Sequence, residues 1–329
     1  MRVFRRSQVV GEKAAPPHTP PSARIASPGA TELPLRDLGP ILVAVDGRPS
    51  GWHALEWAAA EAAARQCSLQ IVHCIDPHPV SWDIFGTFSA DQWDADTKDV
   101  GALVLREAAD RAHAVSPALP IATHLLLGPP AEALLQAAGA GTLIVLGRGR
   151  PPGRGRSLST SVSEQVARRA RRPVAIVELS DGTMCGRSAG RVVVGFDRTG
   201  VPAVALGYAF QAAQRRGVGV TTLQMWARGS TRLDGSVRDA LATCRDAFPD
   251  VDVQQHFATG PVGPALVAES AGAALVVLAS RAHGPLRPES FKSAATVLRS
   301  VRSPVAIVGA DRRRSKHHSA ADSRSIPRG

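Results

Sequence analysis

Along the chain, apolar positions gather in short β-branched runs separated by longer alanine-rich stretches. Residues 41–46 read ILVAVD, and residues 191–197 read RVVVGFD. Runs this apolar and this short fit central parallel strands covered on both faces. Each run leads through a small turn into a stretch of helix length, WHALEWAAAEAAARQ at 52–66 and PAVALGYAFQAAQRR at 202–216. Each stretch then returns to an apolar run, LQIVHCI at 69–75 and VGVTTLQMW at 218–226. Strand, helix, strand predicts βαβ units and therefore an α/β fold.

The pattern is repeated. GPPAEAL at 128–134 answers GPVGPAL at 260–266, and TLIVLG at 142–147 answers ALVVLA at 274–279, both 132 positions later. Both copies close on the same strand, PVAIV at 173–177 and 304–308. Shared spacing and shared chemistry predict an internal duplication. The 329 residues agree, because roughly 150 residues per domain predicts two domains. Asp46 and Asp197 end the two opening strands 151 positions apart, so the first copy carries a 19-residue insertion. It is placed at 76–95, mostly around PHPVSWDIFGTFSADQWDAD at 77–96. Its aromatic residues, Trp82, Phe85, Phe88 and Trp93, read either as a lid over the first site or as a patch covering an exposed edge.

The predicted organisation is a disordered leader at 1–38, a first domain at 39–179 and a linker at 180–189. A second domain follows at 190–309, then a basic disordered tail at 310–329. No stretch approaches the ~20 apolar residues of a membrane span, and the start lacks the apolar core of a signal peptide. A cytoplasmic protein is expected. The four cysteines, Cys67, Cys74, Cys185 and Cys244, include no CxxC pair. They read as buried small hydrophobes or isolated thiols, with no metal site expected.

Net charge is +11, but it is unevenly placed. Residues 1–38 carry +3, 309–329 carry +4 and 147–172 carry +7, which leaves the rest of the chain at −3. The body is therefore not basic. Without an aromatic or helical reading element, specific nucleic-acid binding is not expected.

The internal basic segment has a telling position. GRGRPPGRGRSLSTSVSEQVARRARR, at 147–172, follows directly on a predicted strand. Ligands of open α/β sheets bind beyond the C-terminal ends of strands. Gly147, Gly149, Gly153 and Gly155 allow close backbone approach. Arg148, Arg150, Arg154 and Arg156 offer donor forks suited to phosphate. Ser161 then reads as a helix N-cap, and Glu164 completes a capping box. Free N–H groups at that helix start would face an anion. The segment reads either as a phosphate site or as an Arg-rich surface loop before an ordinary capped helix. Asp46 can accept hydrogen bonds from ribose hydroxyls, or it can cap the helix beginning near Ser50. Neither a G-x-G-x-x-G nor a P-loop fingerprint is present.

These residues carry a family resemblance. VAVDGRPSGWHALEWAAAEA, at 43–62, and the closing PVAIV strands resemble the universal stress proteins in their tandem, two-domain actinobacterial form. The resemblance covers about 40–179 and 190–309. It implies two tandem doubly wound domains. Each would be a five-stranded parallel sheet of order 3-2-1-4-5 with helices on both faces, self-associating through its last strand. Nucleotide-binding members carry G-x-x-G, nine residues, then G-[S/T] after the fourth strand. The matching positions here are Gly147, Arg150, Thr160 and Ser161 in the first copy. In the second copy they are Ala279, Ala282, Lys292 and Ser293, where all three glycines are gone.

The resemblance further implies ATP or a related adenine nucleotide, with or without Mg2+. Ala44 and Asp46 would lie near adenine and ribose, and Cys74 and Leu146 would line the adenine side. Gly147, Arg148, Arg150, Thr160, Ser161 and Val162 would surround the phosphates. The expected function is non-catalytic ATP binding in the first domain, coupled to dimer or partner interactions. One alternative is a protein–protein scaffold with degenerate sites. Another is a slow ATPase, for which Asp46 is the only evident acidic candidate.

Overall fold

The structure is a computed structural model that describes residues 39–76, 90–149, 161–178, 188–196, 203–226, 235–280 and 288–309. The expected leader and tail lie outside these residues. So do positions 180–187 of the linker and Trp82, Phe85 and Phe88 of the insertion.

The first half runs β1 (Ile41–Ala44), α1 (Pro49–Arg65), β2 (Leu69–Ile75), α2 (Ala90–Val115), β3 (Ile121–Leu127), α3 (Pro130–Ala137), β4 (Leu143–Gly147), α4 (Val162–Arg169) and β5 (Val174–Val177). The second repeats the series with β6 (Val192–Phe196), α5 (Ala203–Arg216), β7 (Val220–Trp226), α6 (Gly235–Ala247), β8 (Val253–Thr259), α7 (Val262–Glu269), β9 (Leu275–Ser280), α8 (Pro288–Ser300) and β10 (Val305–Gly309). The predicted strand and helix positions agree with these bounds to within a few residues. α2 is 26 residues long against 13 for its counterpart α6. The C-terminal part of the expected insertion loop is therefore helix from Ala90.

All ten strands form one sheet of order β3-β2-β1-β4-β5-β10-β9-β6-β7-β8. Each half therefore has the 3-2-1-4-5 order. Pairing is parallel within each half. At the centre β5 and β10 run antiparallel, with Ala175 opposite Ala306. The last strands thus pair with each other inside one chain.

Strand residues alternate between faces. Leu42, Ile144 and Ile176 join Val276, Val305 and Ile307 in one core that crosses the seam, covered by α3, α4, α7 and α8. On the opposite face Ile41, Val43 and Val145 lie under α1 and α2, while Val192, Val194 and Val277 lie under α5 and α6. α1 meets the sheet through Ala54, Ala58, Ala59 and Ala62, each fully buried. The small side chains let the helix lie close. Trp57 packs against both cores of that face and so spans the seam.

Candidate functional site

β1 and β4 are neighbours, with Ala44 opposite Leu146. From β1 the chain passes through α1 to β2 on one side, while β4 lies on the other. This is the topological switch point, beyond which an open α/β sheet forms its crevice.

Asp46 follows buried Val45 at the rim of that crevice. Its Oδ1 accepts a hydrogen bond from the Arg48 backbone N–H at 3.1 Å, and its Oδ2 lies 3.8 Å from Arg48 Nε. The N-cap residue of α1 is Arg48, and no side chain bonds the first helical amides there. Asp46 therefore fixes the turn ahead of the helix rather than capping it. Its side chain is 54% exposed, so the carboxylate can also receive a hydroxyl.

Two glycines bring this turn against β4. A Cβ on Gly147 would overlap the Ser50 carbonyl oxygen, and one on Gly51 would come within 2.8 Å of Asp46 Oδ1. Their absence lets the first turn of α1 touch the end of β4, with Asp46 beside both. Gly51 was not among the residues expected from the sequence, although the GRPSG turn contains it. His73 was missed too. Its Nδ1 donates to the Val45 carbonyl at 2.8 Å, which ties β2 to the rim.

Ala44, Cys74 and Leu146 lie on the sheet face that packs under α3 and α4. Leu146 is buried, whereas Ala44 and Cys74 are partly so. Burial pushes the Cys74 thiol up to about 11, so it stays neutral at physiological pH. It contributes an apolar wall there, and not a thiolate nucleophile or metal ligand.

Ser161 is the N-cap of α4, as its spacing to Glu164 predicts. Its Oγ accepts from the Glu164 N–H at 3.2 Å and lies 3.1 Å from Ser163 Oγ. Val162 opens the helix and is about a third exposed. A Cβ on Gly149 would meet nothing within 4 Å, so packing does not demand a glycine there. Arg150, Thr160 and the remaining loop glycines and arginines lie outside the described residues.

Arg148 turns toward the junction of the two halves. Its Nη1 pairs with Glu178, which directly follows β5, and its Nη2 donates to the Val301 carbonyl just beyond α8. Burial pushes this guanidinium down, and Glu178 partly offsets that shift. Glu178 was likewise missed from the sequence.

Arg148, Gly149, Ser161, Glu164 and Glu178 line a cavity of about 360 Å³, together with Leu298 and Arg299 of α8. This volume lies within the range of small-molecule sites. The second half departs from the arrangement. Ala279 carries the Cβ that the contact at Gly147 would not admit. Ser293, which matches Ser161, lies inside α8 rather than at its start. Asp197 and Ala282 are outside the described residues. Among the described residues no three His, Cys, Asp or Glu side chains gather as a metal cage. No helix among them is long and apolar enough to cross a membrane.

Comparisons with known proteins agree with this architecture. The model of the universal stress protein family matches residues 38–178. A universal stress protein of Mycobacterium tuberculosis is 28% identical over 284 residues, 81% of this chain and 96% of the relative. One from Mycolicibacterium smegmatis is 27% identical over 289 residues, 82% and 96% of the two chains. The crystal structure of a universal stress protein from Archaeoglobus fulgidus superposes with a TM-score of 0.63 at 19% identity, covering 82% of this chain and 96% of that one. With its duplicated five-stranded sheets and a match to the family model at residues 38–178, the chain is similar to tandem universal stress proteins over most of its length.

Proposed function

We propose that the first half binds ATP or a related adenine nucleotide without turning it over, and that the second half serves as its structural partner. The observation that carries this reading is the convergence of Asp46, Gly147 and the α1 turn at the switch point. The capped start of α4 borders the adjoining cavity. In this reading Asp46 receives the ribose hydroxyls, and Ala44, Cys74 and Leu146 border the base. Gly147 admits the ligand backbone-close, and Ser161, Val162 and the α4 amides meet the phosphates. Arg150 and Thr160 complete the phosphate loop. Any Mg2+ would arrive with the phosphates rather than in a protein cage.

Arg148 has a different task here. Its guanidinium is held by Glu178 and Val301, so it links the phosphate side to the second half instead of reaching freely for an anion. That engagement favours the second reading, a scaffold that binds no nucleotide. Catalysis is the weakest reading, because Asp46 already holds the Arg48 amide and has no structural sign of acting as a base.

Calorimetric titration with MgATP separates these readings. Micromolar binding that is lost in Asp46→Asn with Ser161→Ala supports nucleotide binding. No heat and no thermal shift at millimolar ATP would favour the scaffold. Turnover that survives Asp46→Asn would remove Asp46 as a base.

A further inference from the structure

The two last strands have the same sequence, PVAIV, and they pair around Ala175 opposite Ala306. The strand seam is therefore self-complementary. By backbone alone, either half would accept a copy of itself as readily as the other half. Discrimination has to come from the flanking helices.

On one face, Glu61 of α1 lies 3% exposed among three guanidiniums. Arg65 Nε donates to its Oε1 at 2.6 Å, Arg216 Nη2 to its Oε2 at 2.5 Å, and Arg215 Nη2 to Oε1 at 3.5 Å. Arg65 sits over the Tyr208 ring and Arg216 over the Trp57 ring. Trp57 matches Tyr208, and Arg65 matches Arg216, at the 151-residue offset of the duplication. The aromatic contacts thus obey the internal dyad.

The charges do not. The counterpart of Glu61 is Ala212, and that of Ala64 is Arg215. On the other face, Glu164 of α4 lies 3.7 Å from Arg299 of α8. At the 131-residue offset of the closing strands, Arg299 matches Arg168, whereas Glu164 matches Ala295, so again only the acid is confined to the first half. Among the described residues, the acids Glu61 and Glu164, which reach across the helix seam, come from the first half, and their arginine partners Arg215, Arg216 and Arg299 come from the second. Arg65 Nη1 and Arg215 Nε, buried without a partner, mark the positive excess on this seam.

We propose that this charge asymmetry is a partner code. It fits a first half to a second half and bars a seam between two second halves. Such a like pair would bury Arg215 and Arg216 against themselves, with Ala212 in place of the carboxylate. Like charges without a counter-charge are strongly unfavourable in a desolvated interface.

The test uses the full chain. Glu61→Arg with Glu164→Arg gives the first half the seam charge of a second half, so the internal seam becomes like against like. Its melting temperature, read by calorimetry, is expected to fall by about 10 °C. Part of that loss should return at high salt. Adding Arg216→Glu and Arg299→Glu reverses the polarity and is expected to restore melting to within a few degrees of the parent, whatever else the first pair disturbs. Parent-like melting of the double variant would overturn the code. So would failure of the fourfold variant to recover.

Discussion

Gln66 ends α1 at φ 54° and ψ 41°, with its N–H on the Ala62 and Ala63 carbonyls. It is the one non-glycine residue with positive φ among the described residues. The duplication supplies an internal control. The position 151 residues on is Gly217, at φ 62°. A side chain in the left-handed region costs roughly 1–2 kcal/mol, and glycine relieves that cost less its own unfolded-state entropy. Gln66 is exposed, so its side chain is not packed into the core. Gln66→Gly is therefore expected to stabilise the protein by about 1 kcal/mol, seen as a higher urea midpoint with unchanged slope. A lower midpoint would mean that the Gln66 side chain makes a contact worth more than the strain. Local features of this kind are readable from sequence. Ser161 and Glu164 are three residues apart, and the cap forms as their spacing predicts. Arg148 and Glu61 were not readable in the same way. Their partners Val301 and Arg216 lie 153 and 155 positions away, so only the closed seam reveals what they do.

At the scale of elements, the central strands announce themselves because both of their faces are buried. β3 and β8 went unread. IATHLLL and VQQHFAT are the two edges of the sheet, with one side turned to polar surroundings, and they carry His, Thr and Gln among their apolar residues. The helices that follow β4 and β9 differ in a way that bears on function. α4 starts at Val162, with Ser161 as its cap holding the Glu164 amide. α8 starts at Pro288, so Ser293 lies past the first turn, where its N–H belongs to the helix ladder. The missing glycines of the second half were legible in the sequence. The earlier helix start that accompanies them was not. Calorimetry is therefore expected to give one nucleotide per chain, all of it lost with Ser161→Ala and Asp46→Asn. A stoichiometry of two would show that α8 unwinds to admit a ligand.

For the molecule as a whole, the seam makes stability depend on one buried carboxylate. Burial pushes the Glu61 carboxyl up, but the guanidiniums of Arg65, Arg216 and Arg215 together outweigh that and hold its pKa below the ordinary 4.5. Burial also pushes Arg215 down, and the like charge of Arg65 adds to the effect. The sign for Glu61 follows from linkage. A folded-state pKa below the unfolded value means that the unfolded chain binds the proton first as pH falls. The stabilisation is then fully present above about 4.5 and is lost as pH drops through the folded-state value. Glu61→Gln keeps the shape and removes the charge, leaving three guanidiniums with no counter-charge. At about pH 7 the variant is expected to be less stable by about 3 kcal/mol, the scale of a broken buried pair. As pH is lowered past 4.5, urea unfolding curves of the two proteins should converge, because the parent then loses the same charge. A gap that stayed constant down to about pH 3 would assign the loss to packing. The seam would then be held by its strands and apolar core alone, with Glu61 no more than a filler between the helices.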